Sequence, residues 1–272
     1  MRFFILSVLL LGSAIISTAQ TAQEKERIKS ETNIKGLIEI QKKAEEKNIN
    51  DLQYFQDYLK PNGISKRTKE NSGAIIEFIS LDDNGMPIWY TTDNLNAAKS
   101  SGAYYLWPNK ALGYSLTGKN MIAGEWDGGA TRTTHDEFGS RVTQNDNASS
   151  LSNHATHVAG TIVAQGLDSS AKGMAYEAEL LAHDWNSDDF EMATEAGDGL
   201  IVSNHSYGTI TGWRKSDSGA YLWYGDTSIS TQEDWHAGFY DGQSRSWDQI
   251  AYNAPYYLIV KSAGNDRNDK PD

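Results

Sequence analysis

From Met121 to Lys261 the chain alternates short apolar runs with segments of helical periodicity, and this alternation constrains the fold more than any other feature. Strands are expected at Met121–Trp126, Leu180–Asp184, Leu200–Asn204 and Tyr256–Lys261. Helices are expected from His154 to about Ala164, at Phe190–Ala196 and at Ser246–Asn253. Strands joined through helices run parallel, because the helix carries the chain back over the sheet. The pattern therefore predicts an α/β domain, a mostly parallel sheet with helices on both faces. In such sheets the chemistry gathers outside the carboxyl ends of the strands.

The first hundred residues have a different texture. Gln23 to about Asn48 is rich in Glu, Lys, Gln and Ala with apolar residues at helical spacing, and it predicts one amphipathic helix. Pro61-Asn62-Gly63 breaks it from a hairpin, Ala74–Leu81 and Met86–Thr92, turning at Asp82-Asp83-Asn84-Gly85. A polar linker, Thr92 to Ser101, closes this small α+β unit. Before it, Met1-Arg2 opens an apolar run from Phe3 to Ile16, with Ser17 and Ala19 suited to cleavage before Gln20. The run is shorter than the ~20 residues needed to span a bilayer, so it predicts a signal peptide rather than an anchor. The expected division is a signal peptide at 1–19, a pro-segment at 20–95 and the α/β domain at 96–272, in a secreted protein.

Charge and cysteine content narrow the function. Lys and Arg total 24 against 36 Asp and Glu, and a net charge of −12 repels polyanions, so nucleic acid is not an expected partner. The chain has no cysteine. An exported protein of this kind must take its stability from packing or bound ions, and a thiol nucleophile is excluded.

Three stretches fall at strand ends. Asp127 follows the strand Met121–Trp126 and precedes Gly128-Gly129. Asn153-His154-Ala155-Thr156-His157-Val158-Ala159-Gly160-Thr161 sets a histidine in the first turn of a helix made of small residues. Ser262-Ala263-Gly264-Asn265 leaves an amide side chain beyond the strand Tyr256–Lys261. Together these resemble the subtilases, the subtilisin-like serine proteases. Residues 154–161 match that family's H-G-T-H-V-A-G-T motif everywhere except Ala155, and Ala263-Gly264-Asn265 matches its A-G-N motif. Leu116–Asn120 and His135-Asp136-Glu137-Phe138 resemble the segments flanking the family's aspartate, so the likeness runs from about Leu106 to Asn265.

The resemblance implies roles residue by residue. His154 would be the general base, Asp127 would hold its tautomer and stabilise the imidazolium, and Asn265 would donate to the oxyanion. Ser206, Tyr207 and Gly208 would line the primary specificity pocket, with Ala263 and Gly264 as the opposite wall. Protein or peptide substrates follow, with no cofactor for catalysis. The family's structural calcium has no clear counterpart, since the loop Gln165–Gly173 offers only Asp168.

The departures are specific. Gly128 replaces the hydroxyl residue that normally follows the aspartate, which predicts one lost hydrogen bond. Glu125 lies inside a strand expected to be buried, and the sequence gives no account of it. The family's serine sits in a G-T-S-x-A-x-P-like motif downstream of the asparagine, and no serine after His154 has that context. Residues 20–272 alone are accordingly expected to lack peptidase activity.

Other classes have their own signals. His154 and His157 share a helical face and could bind zinc in a hydrolase, but H-E-x-x-H is missing. A secreted, catalytically dead binding protein is a further alternative. Tyr221, Trp223, Tyr224, Trp235, Phe239, Tyr240 and Trp247 could form a binding face, although packing of a long insertion is the simpler expectation. His183, His205 and His236 are expected to be surface or hydrogen-bonded structural histidines.

Overall fold

The computed structural model describes residues 21–69, 75–82, 85–92, 103–110, 113–167, 171–216 and 218–265. The expected signal peptide at 1–19, most of the linker to Ser101, and Asp168 lie outside the described residues.

Five parallel strands form the central sheet: β4 (Ile122–Asp127), β5 (Val142–Gln144), β6 (Glu179–Asp184), β7 (Val202–His205) and β11 (Leu258–Lys261). Their order is β11-β7-β4-β6-β5. The crossover helices are α3 (Asn153–Val163), α4 (Asp188–Gly197) and α5 (Gly242–Asn253). From β4 the chain first lays down the edge strand β5 and then fills the gap with β6, before adding β7 and β11 on the other side. β4 is thus central, and its carboxyl end is where a site is expected.

Period-2 alternation along β4 divides two cores. Trp126 faces one side and packs with Trp185, Met192, Ala193 and Ala196, together with Ile250 of α5. The opposite face of the sheet, including Ala123, Leu180 and Ala182, packs against Ala159 and Val163 of α3 and against Phe138. Both faces are covered over the central strands, which explains why those read as near-continuous apolar runs, whereas the edge strand β11 leaves Leu258 and Val260 exposed. Gly124 is needed where β4 meets this packing, because a Cβ there would lie 2.6 Å from the Trp126 ring and 2.8 Å from Leu200.

The expected N-terminal helix is two helices. α1 (Ala22–Glu31) starts on a capping box formed by Thr21 and Glu24, and α2 (Ile34–Tyr54) starts on an Asn33 cap whose side chain accepts from Gly36 N. The break at Thr32-Asn33 comes from that new cap: Asn33 leaves helical geometry and its own N–H donates to Asn253 O at 2.8 Å. The helical run also outlasts Asn48, continuing past Tyr54 through a π-turn, Phe55–Leu59, to Asn62. Gly63, with φ +78°, ends it in the left-handed conformation that glycine adopts without strain.

The hairpin forms as expected from β2 (Ile75–Leu81) and β3 (Pro87–Thr92), with β1 (Arg67–Lys69) on its outer edge. Leu37 and Ile40 of α2 and Ile88 of β3 enter the same core as Trp126 and Met192. The N-terminal unit is therefore docked on the outside of α4 and α5. Between β7 and α5 a long insertion carries β8 (Tyr207–Thr209) and a two-stranded ribbon, β9 (Trp213–Lys215) with β10 (Tyr221–Trp223). Among the described residues no helix is long and apolar enough to cross a membrane.

Candidate active site

Asp127 is the last residue of β4 rather than the first beyond it, and its side chain is fully buried. Three backbone groups fix it. Trp185 N and Gly129 N donate to its carbonyl at 2.9 and 2.8 Å, and Gly128 N donates to Oδ1 at 2.7 Å. That last bond bears on the hydroxyl missing from position 128: a main-chain donor supports the carboxylate there.

His154 is the second residue of α3. Ser152 caps the helix, its hydroxyl accepting from Ala155 N at 3.1 Å. Reciprocal bonds, Ala130 N to Ser150 O and Ser152 N to Ala130 O, tie this cap to the turn after β4. The helix start and the strand end are thereby locked together. His154 Nδ1 lies 2.7 Å from Asp127 Oδ1 and 2.9 Å from Oδ2. A carboxylate that accepts a hydrogen bond from Nδ1–H fixes the tautomer, which puts the basic lone pair on Nε2. Ala155, the one departure within the histidine motif, is fully buried against the sheet.

Glu125 lies two residues before Asp127 on the same face and is also fully buried. Loss of water pushes its carboxyl well above the ordinary range, and the Asp127 charge pushes it further. Thr131 Oγ1 donates to Glu125 Oε2 at 3.4 Å. Burial and the neighbouring carboxylate thus both favour the protonated form of Glu125, while its other carboxyl oxygen is buried without a hydrogen-bond partner.

The other expected site residues gather at the next two strand ends. β7 runs into Ser206, whose hydroxyl accepts from Asn204 Nδ2 at 2.9 Å. Ser262 N donates to His205 O at 3.0 Å, and its hydroxyl and Lys261 Nζ both reach Tyr207 O. This places Tyr207 beside Lys261 and Ser262. Ala263, Gly264 and Asn265 are exposed in the loop that follows. Tyr207 contributes backbone only: its ring is fully buried and its hydroxyl donates to Asp188 Oδ2 at 2.8 Å.

The N-terminal unit meets the site twice. β3 pairs antiparallel with β8, with Thr92 opposite Tyr207, Thr91 opposite Gly208 and Tyr90 opposite Thr209. Arg67 is ion-paired with Glu77 and donates to Gly128 O, in the turn beside Asp127. Glu77 is buried, accepting from Trp185 Nε1 at 2.8 Å and Asn186 Nδ2 at 3.2 Å. Neither contact has a sequence signal, since Arg67 and Gly128 are 61 residues apart and the paired residues of β3 and β8 lie further apart still.

The remaining histidines divide. His157 is exposed and His154 is held by Asp127, so the two do not converge as zinc ligands would. His183 and His205 are buried, not at the surface, and their rings stack on either side of Trp126 at 4.4 and 5.1 Å between centroids. His205 is hydrogen-bonded through both nitrogens, to Ser203 Oγ and Tyr207 OH, and burial holds its pKa well below the ordinary value. His236 bridges Asp234 and Asp82. Among the described residues, the group whose atoms could converge on a metal is Asp146, His183 and Glu191.

No curated protein sequence matches the chain significantly. The family model for the subtilase family matches residues 52–272, which takes in Ser206–Gly208, Ala263–Asn265 and the Asp127–His154 pair. The chain therefore belongs to the subtilase family of serine peptidases.

Proposed function

We propose that this protein is a secreted endopeptidase in which Asp127 and His154 activate a serine nucleophile, with Asn265 donating to the oxyanion. The observation that carries the reading is the Nδ1 contact of His154 with both oxygens of a buried carboxylate at a strand end. In the proposed reaction His154 Nε2 takes the serine proton as the hydroxyl oxygen attacks the scissile carbonyl. The imidazolium, balanced by Asp127, then protonates the departing amine, and water releases the acyl group through the same nitrogen. The serine is proposed to come from sequence following Asp272, because no serine after His154 has the family's context.

The N-terminal unit is proposed to be an inhibitory pro-segment. Extended peptides can bind a protein by adding a strand to an exposed edge, and β3 already holds Tyr207–Thr209. Cleavage within the linker after Thr92 would release that edge.

The test is peptide hydrolysis by the full gene product, with and without a serine-directed phosphonate. Loss of activity with one equivalent of covalent label supports the reading. Turnover that survives the reagent and stops on metal removal would overturn it.

A further inference from the structure

On the face of the sheet away from His154, a cluster of side chains joins three elements. His183, near the end of β6, is 3 % exposed. Glu191 and Glu195, one turn apart on α4, face its two ring nitrogens: Nδ1 lies 3.3 Å from Glu191 Oε2 and Nε2 lies 3.3 Å from Glu195 Oε1. Neither nitrogen makes a hydrogen bond, although both are shielded from solvent. Asp146, just beyond β5, completes the group, and ligand atoms of Asp146, His183 and Glu191 lie within 4.8 Å of one another.

Two features go beyond an acidic cluster. A buried imidazole needs partners for both nitrogens, and here each has only a carboxylate at ion-pair distance rather than a close hydrogen bond. At bond lengths of about 2.0–2.1 Å, neighbouring ligands of a tetrahedral ion are roughly 3.3 Å apart. That is the spacing of His183 Nδ1 and Glu191 Oε2. The carboxylates are also aimed in advance. Asp146 Oδ2 accepts from Asp184 N at 2.7 Å, its Oδ1 accepts from Gln144 Nε2 and Ala148 N, and Trp126 Nε1 donates to Glu191 Oε2 at 3.0 Å. Glu195, steadied by Asn145 Nδ2 at 2.6 Å, stands behind the second ring nitrogen, where metal-bound histidines usually find a carboxylate.

We propose that Asp146, His183 and Glu191 bind one transition-metal dication of the zinc type, with Glu195 orienting the imidazole from outside and water completing the shell. The donor set decides the class: one imidazole among carboxylates suits zinc, whereas calcium and magnesium take oxygen alone. The role is structural. Asp146 belongs to the segment that leads from β5 to the Ser152 cap, and Asp184 pairs in register with Asp127. A metal here fastens the approach to His154 onto the sheet, a staple for a chain with no cysteine.

The experiment is zinc titration of chelator-treated protein by calorimetry, with cobalt substitution as a spectroscopic readout. One equivalent should bind, cobalt should give the visible bands of a tetrahedral site, and the unfolding temperature should rise. Glu191→Gln and His183→Gln should each weaken binding at least tenfold, Glu195→Gln by roughly 10–100-fold, and His157→Ala not at all. If His183→Gln does not fold, Glu191→Gln and the cobalt spectrum decide. No binding to folded protein would show an imidazolium clamped between two carboxylates and overturn the proposal. So would affinity unchanged in Glu191→Gln, or affinity lost in His157→Ala. None of these readouts requires peptidase activity.

Discussion

Replacing Glu77 with alanine should loosen the N-terminal unit from the site. The Glu77 side chain is 5 % exposed and serves Arg67, Trp185 Nε1 and Asn186 Nδ2 together, with Lys66 Nζ at 3.8 Å. Removing it takes away the acceptor used by the buried Trp185 indole, which costs about 1–3 kcal/mol. The ion pair adds less, because the Arg67 side chain is 27 % exposed and solvent screens it; about 1 kcal/mol is a fair figure. The sum is about 2–4 kcal/mol for Glu77→Ala. Glu77→Gln keeps an acceptor for Trp185 and should lose only about 1 kcal/mol. Urea unfolding gives the totals, and hydrogen exchange locates them: the amides of β2 and β3 should exchange faster while those of β4 and β6 do not. A change below about 0.5 kcal/mol in Glu77→Ala, or equal effects of the two variants, would refute the reasoning.

Two further perturbations follow from the packing and the charges. His236 lies between Asp234 and Asp82, and although burial opposes its charge, the two carboxylates raise its pKa above the ordinary value. Its stabilising contribution is complete below about pH 6.5 and is lost as pH rises through the higher folded value. The stability gap between wild type and His236→Ala, on the order of 1 kcal/mol at pH 6, should thus shrink by pH 9; a gap that widens would contradict the assignment. Gly124→Ala should cost about 1–3 kcal/mol by overpacking, since the new methyl meets the Trp126 ring and Leu200, and an unchanged midpoint in thermal unfolding would show that the core yields freely.

What the sequence made legible was periodic or contiguous. Four of the five strands of the parallel sheet could be read as apolar runs, with ends that shift by a residue or two, while the three-residue β5 was too short to show. The histidine segment could be read because its contacts are local: the Ser152 cap, the buried Ala155 and the first helical turn. The break between α1 and α2 was missed because composition is continuous across it and the cap at Asn33 depends on Asn253 as well as on local residues. Glu125 resisted explanation because its raised pKa depends on burial and on the nearby Asp127, which no pattern of types encodes. His183 looked like a lone histidine for a similar reason. The spacing of Glu191 and Glu195 was visible, but only the fold brings Asp146 and β6 to the same helix face. Tyr207 shows a residue placed correctly at a strand end while its side chain turns into the core.

The central claim, that Asp127 and His154 act as one unit, is tested most directly by Asp127→Asn in the full gene product. The amide can fill the same space but presents a donor as well as an acceptor to Nδ1, so it favours the wrong tautomer. Turnover of a peptide substrate should fall by roughly 10⁴-fold, phosphonate labelling should slow in parallel, and the unfolding midpoint should stay near that of wild type. Turnover within tenfold of wild type in a folded Asp127→Asn protein would contradict the account.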